Sequence, residues 1–161
     1  EALMSYKDIV VFLDAGRATT TRLGLAVSLC QRFDARLMGV DVSIPEAFDA
    51  EFADTAADIE SMFEAKIKES SIKGEYLVAG KQTATWKDFY AHYADLVVAT
   101  ERDAGSDQLV ARGIPDDILM SAGVPVLILP PIWGPGVIGE SVVIAWNSSR
   151  ESTRALHGSR C

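Results

Sequence analysis

The sequence predicts an α/β fold: a doubly wound five-stranded parallel sheet with helices on both faces, Rossmann-like in plan. Three observations predict it. Apolar runs such as LVVA (96–99) and VPVLIL (124–129) lack polar alternation, which suits strands covered on both faces. Strand-like and helix-like stretches then alternate along the chain, the order that right-handed βαβ crossovers produce. Finally, the polar loop after LVVA lies beyond the carboxyl end of a strand, where open α/β sheets bind their ligands.

Each element follows from local chemistry. Residues 8–13 (DIVVFL) read as a buried strand that ends in Asp14, with the small residues Ala15 and Gly16 behind it. Thr19, Thr20 and Thr21 supply N-cap candidates for the next helix. Leu23, Ala26, Val27, Cys30 and Phe33 recur along it at helical spacing, so Cys30 is expected to pack as a small hydrophobe. Residues 35–42 (ARLMGVDV) give a second strand. Between Pro45 and Lys68, Phe48, Phe52, Ala56, Ile59, Phe63 and Ile67 form one apolar stripe, opposite an acidic face that solvent is expected to cover. A third strand over 75–79 is closed by Gly80. Thr85 can cap a further helix, in which Trp86, Phe89, Tyr90 and Tyr93 read as core and His92 faces the negative dipole end.

Composition limits the function classes. A chain of 161 residues with 48% apolar content suits one domain with a sizeable core. Its net charge of -8 disfavours nucleic acid and anionic membranes as partners, since both need clustered Lys and Arg. No apolar run approaches the ~20 residues of a membrane span, and no leader pattern precedes Met4. Cys30 and Cys161 provide neither a disulfide framework nor metal-ligand spacing, so a cytoplasmic location is expected.

The C-terminal part repeats the opening. SVVIAWNSSRESTRAL (141–156) aligns with DIVVFLDAGRATTTRL (8–23), setting Val143 on Val10, Asn147 on Asp14, Arg150 on Arg17, Thr153 on Thr20 and Leu156 on Leu23. Ser148 and Glu151 have capping-box spacing. The organisation expected is a domain over 4–131, a Pro- and Gly-rich linker over 132–140, and the truncated start of a second similar domain over 141–161. Residues 141–146 are expected to add an extra C-terminal strand at the sheet edge beside 124–129, in the same chain or in a second one.

The VVFLDAG opening, the ADLVVAT strand, Gly113 and the GVPVLILP strand together resemble the universal stress protein (UspA-like) family. The repeat resembles members that carry two such domains in series. That resemblance implies an adenine nucleotide alpha hydrolase-like sheet and dimerisation through the last strand. It also implies a role in bacterial stress response, with ATP bound by one branch and no nucleotide by another. The ATP-binding branch carries Gly-x2-Gly-x9-Gly-Ser/Thr after the fourth strand, and the matching positions here are Thr100, Asp103, Gly113 and Ile114. Only Gly113 matches.

Side chains at Thr100 and Asp103 block the close backbone approach that glycines allow a phosphate. Ile114 offers no hydroxyl, Pro115 no N–H, and Asp116 and Asp117 already answer the helix dipole. Repulsion between Asp103 and a phosphate about 6 Å away costs ~1 to 3 kcal/mol at effective dielectrics of ~80 to 20. With the lost donors, this implies on the order of 100-fold or more weaker phosphate binding. Magnesium bridging Asp103 to phosphate would reverse the sign. On the other wall, the resemblance sets Asp14 at the acid that ends the first strand and Val42 near the adenine-contacting position. Asp14 can equally cap its own turn.

Catalytic signatures are missing from the sequence: there is no G-x-S-x-G, C-x-x-C or H-E-x-x-H, and His92 and His157 stand far apart. The expectation is therefore a non-catalytic stress-response domain without tight ATP binding and with no cofactor, acting through homodimerisation or protein contacts. The first alternative is an ATP or adenosine-nucleotide sensor, with Mg-ATP as its ligand and slow hydrolysis. The second is a carrier of an uncharged small molecule in the same cleft.

Overall fold

The central strands form from runs apolar on both faces, DIVVFL and LVVAT, whereas RLMGVD and GEYLV form strands although they carry charged residues. In the computed structural model, β1 (Asp8–Leu13), β2 (Arg36–Asp41), β3 (Gly74–Val78), β4 (Leu96–Thr100) and β5 (Val126–Leu129) build one five-stranded sheet of order β3-β2-β1-β4-β5. Every pairing is parallel, with Leu13 opposite Asp41, Val11 opposite Val98 and Thr100 opposite Leu129. The structure describes residues 6–42, 50–78, 93–101, 119, 123–130, 132–134 and 138–158, with 50–56 and 158 as backbone only. Residues from Tyr6 to Trp133 form one unit, and the chain from Gly134 onward belongs to a second.

Two helices pack on one face of the sheet. α1 (Thr19–Phe33) connects β1 to β2 and buries Leu23, Ala26, Val27 and Cys30. α2 (Ala50–Ser70) precedes β3 and buries Ile59 and Phe63 from the stripe read in the sequence. Gly39 in β2 lets the Phe63 ring come down on the sheet: a Cβ there would sit 2.6 Å from Phe63 Cε2 and 3.0 Å from Leu13 Cδ1. On the opposite face, Val10, Phe12, Val40, Ala94 and Val97 form a buried cluster, and Met38, Val42, Val124 and Val126 pack against it. Burial pushes the Cys30 thiol up to about 12, so it stays a protonated packing group at neutral pH.

Four expectations are corrected here. The threonines do not cap α1: its N-cap is Ala18, with no side-chain cap, because Thr19 turns its hydroxyl back to Asp14. Tyr93 lies outside the core at 63% exposure, just before β4 begins. Within this single chain residues 141–146 form no strand beside 124–129; Val142, Val143, Ile144 and Trp146 are exposed. A lone β-type run with no ladder partner gains too little to hold a strand. In the C-terminal unit, α3 (Arg150–Gly158) opens on Ser149, whose Oγ accepts the Ser152 N–H at 3.1 Å. Ser148 instead takes a left-handed φ of 63°, so the predicted Ser148–Glu151 box does not form. Thr85, Trp86, Phe89, Tyr90 and His92 lie outside the described residues.

Gly39→Ala is expected to lower stability by about 1 to 3 kcal/mol, since the Phe63 ring is walled in and cannot yield to a methyl. Urea unfolding checks this: the midpoint should fall with an unchanged m-value, and an unmoved midpoint would refute the packing account.

Candidate functional site

Strand order decides where a ligand could sit. Successive strands run outward from β1 in one direction (β2, β3) and from β4 in the other (β5), so the winding reverses between β1 and β4. In open α/β sheets the crevice at such a reversal, outside the carboxyl ends of the strands, is the ligand site. Asp14 follows β1 and Thr100 ends β4, so the fold brings these two sequence-predicted residues to that crevice.

A residue that the sequence reading passed over spans it. Arg22, in the first turn of α1, is 4% exposed and joins both strands. Its Nε donates to the Phe12 carbonyl at 2.6 Å, and Nη1 donates to Thr100 Oγ1 at 2.7 Å. Nη2 donates to Thr19 Oγ1 at 2.9 Å and to Asp14 Oδ2 at 3.1 Å, the last contact being an ion pair. The planar guanidinium fork suits this task, since its donors point in fixed directions toward separate acceptors.

Asp14 is held from the other side as well. The Gly16 N–H donates to its Oδ1 at 2.7 Å, so Asp14 does cap its own turn. The Thr19 hydroxyl lies 2.6 Å from the same oxygen and 2.8 Å from the Asp14 carbonyl, sharing one proton between them. Burial alone would raise the Asp14 carboxyl, but the Arg22 charge and the hydrogen bonds from Thr19, Gly16 and Arg22 outweigh it. The net result lies below the ordinary carboxylate value.

A second acid stands beside this site and was also missed. Asp41 ends β2, is fully buried, and accepts a hydrogen bond from the Tyr76 hydroxyl of β3. Burial, that bond, and the charges of Asp41 and Glu60 all push the Tyr76 phenol upward. Val42 follows, half-buried against the Val10–Phe12 cluster, with its N–H bonded to the Leu13 carbonyl. Asp103, Gly113 and Ile114 lie outside the described residues, so the structure adds nothing about them. Among the described residues no group of three or more His, Cys, Asp or Glu could hold a metal ion.

A signal for Arg22 exists in the sequence. It falls four residues before Ala26 and eight before Cys30, on the stripe that faces the core. A cation in a helix's first turn also opposes the dipole. Breaking two local rules at once marks a residue held by something stronger.

This is the architecture of a doubly wound parallel α/β domain, with a polar switch point. No protein-family model and no curated protein matches the chain. Solved structures do. A universal stress protein from Archaeoglobus fulgidus superposes with a TM-score of 0.57 at 23% identity, over 78% of this chain and 94% of that one. UspA from Lactobacillus plantarum gives 0.60 at 17% identity, over 78% and 98%. An A. fulgidus universal stress protein in complex with dAMP gives 0.57 at 22%, over 78% and 98%. Other universal stress protein structures with this fold are complexes with cAMP and, from Arabidopsis thaliana, with AMP. The chain has the universal stress protein fold.

The ion pair sets an acid limit. Because the Asp14 carboxyl is depressed in the folded state, its stabilisation is complete above the unfolded value of about 3.9 and is lost as pH falls through the lower folded value. Asp14→Asn leaves the buried Arg22 without a counter-charge and should cost about 2 to 4 kcal/mol at pH 7. Urea unfolding from pH 7 to pH 2 should show that cost shrinking in the acid range. A cost that stays constant to pH 2 would contradict the pairing.

Proposed function

We propose that this chain is a non-catalytic domain of the universal stress protein type that holds no nucleotide tightly and acts in the stress response through homodimerisation or protein contacts. The observation that carries the reading is Arg22, whose buried guanidinium already bridges Phe12, Asp14, Thr19 and Thr100 across the switch point. A ligand entering there would have to displace four hydrogen bonds and leave a carboxylate unpaired. That is a cost of several kcal/mol before any contact is gained. Degeneracy at Thr100, Asp103 and Ile114 supports the same conclusion from the sequence side.

A second reading has its own support. Domains of this fold are found with cAMP, dAMP and AMP, so an adenosine-nucleotide sensor using Asp14, Val42 and Gly113 is the alternative. The two separate cleanly in a thermal-shift titration of the whole chain with Mg-ATP, AMP and adenosine. The proposal expects no rise in melting temperature with any of them at millimolar concentration. A rise that grows with ligand concentration, as mass action requires, would establish the sensor instead.

A further inference from the structure

Resting on the reading above, we propose that Arg22 is the specificity-determining residue of the switch point: its guanidinium is a built-in ligand filling a pocket of hydrogen-bond acceptors. The partners argue for this chemistry. Every group it meets can accept: the Phe12 carbonyl, the Asp14 carboxylate, and the Thr19 and Thr100 hydroxyls. These come from a strand interior, a strand end, a helix start and the neighbouring strand, so the pocket belongs to the fold and not to Arg22's own helix alone. With the side chain removed, an acceptor-lined space with one carboxylate remains. It would favour cationic or donor-rich neutral ligands, such as a free guanidinium or the hydroxyls and amino group of a nucleoside, and disfavour phosphate.

A second observation is independent of those contacts. The internal repeat that sets Asn147 on Asp14 also sets Ser149 on Gly16, Ser152 on Thr19 and Ala155 on Arg22. One contact of the turn is shared: Asn147 Oδ1 accepts the Ser149 N–H at 3.1 Å, as Asp14 Oδ1 accepts that of Gly16, although the helix opens at Arg150 in the second copy, two aligned positions earlier than at Thr19 in the first. Thus a turn with the same Asx contact carries Ala at the aligned position within this one chain. The long cation is a feature of the first copy and not a requirement of the turn.

The test is chemical rescue of Arg22→Ala by methylguanidinium, read as melting temperature, with tetramethylammonium chloride at equal ionic strength as control. The variant should melt below the parent chain, and methylguanidinium on the order of 10 mM should recover part of the loss. The parent chain should show no such recovery. Adenosine, added alone, should bind the variant at least ~10-fold more tightly than the parent, with AMP gaining less. A folded variant that methylguanidinium does not stabilise, or one it stabilises no more than the parent, overturns the pocket. If Arg22→Ala does not fold, Asp14→Asn/Arg22→Ala leaves no unpaired charge and keeps neutral acceptors, so methylguanidinium should raise its melting temperature less strongly but still more than that of the parent, and no rise beyond the parent's overturns the pocket. Nucleotide binding by the parent chain would defeat the proposed function while leaving the rescue result standing.

Discussion

The buried pair of Arg22 with Asp14, extended to Thr100, is the constraint on which the carboxyl edge of this sheet depends. A parallel sheet whose winding reverses must leave a gap at the reversal, because the crossovers on either side lead away from it. Here the gap lies between β1 and β4. At the opposite end of the same two strands, Asp95 accepts the N–H groups of Lys7 and Asp8 at 2.7 and 3.0 Å. The central strands are therefore tied at both ends by side chains, one acidic and one basic. Opposite charges about 3 to 4 Å apart attract by about 4 to 5 kcal/mol at an effective dielectric of ~20. Desolvation of both ions consumes much of that, so the pair adds little net stability compared with an apolar filling. On the reading proposed above, its effect is on what else can enter.

On the same proposed reading, the edge is an unusual host for a nucleotide. Asp14 follows β1 and Asp41 ends the neighbouring β2, and the Arg22 guanidinium between β1 and β4 already donates four hydrogen bonds. An anion approaching this edge from solvent meets the half-buried Asp14 carboxylate, while the exposed Arg17 of the same turn makes no ion pair among the described residues. This matters because similar folds are found with adenine nucleotides, and the architecture alone would suggest the same ligand here.

Much of the fold was legible in the sequence because parallel strands announce themselves. DIVVFL and LVVAT are covered on both faces and VLIL in part, and their bounds fall within a residue or two of the reading. The switch point was legible too, through Asp14 and Thr100. Arg22 was passed over, because a lone arginine among threonines reads as a solvated helix start unless its place on the core-facing stripe is weighed. Thr19 misled for a related reason: its hydroxyl had a better partner in Asp14 than in the helix backbone. Residues 141–146 misled through their composition. They have a strand's residues, but pairing is a property of two segments, and one segment cannot show whether the other is present.

The most direct measurement of the account is nitrogen-15 NMR of the Arg22 guanidinium in the intact chain. A side chain fixed by bonds to Phe12, Asp14, Thr19 and Thr100 should give a resolved Nε–H signal that exchanges with water far more slowly than those of exposed arginines such as Arg150 and Arg154. Its position should not change when adenosine or Mg-ATP is added. An Arg22 signal that exchanges as fast as the surface arginines, or that moves on titration with nucleotide, would contradict the claim that this residue closes the switch point.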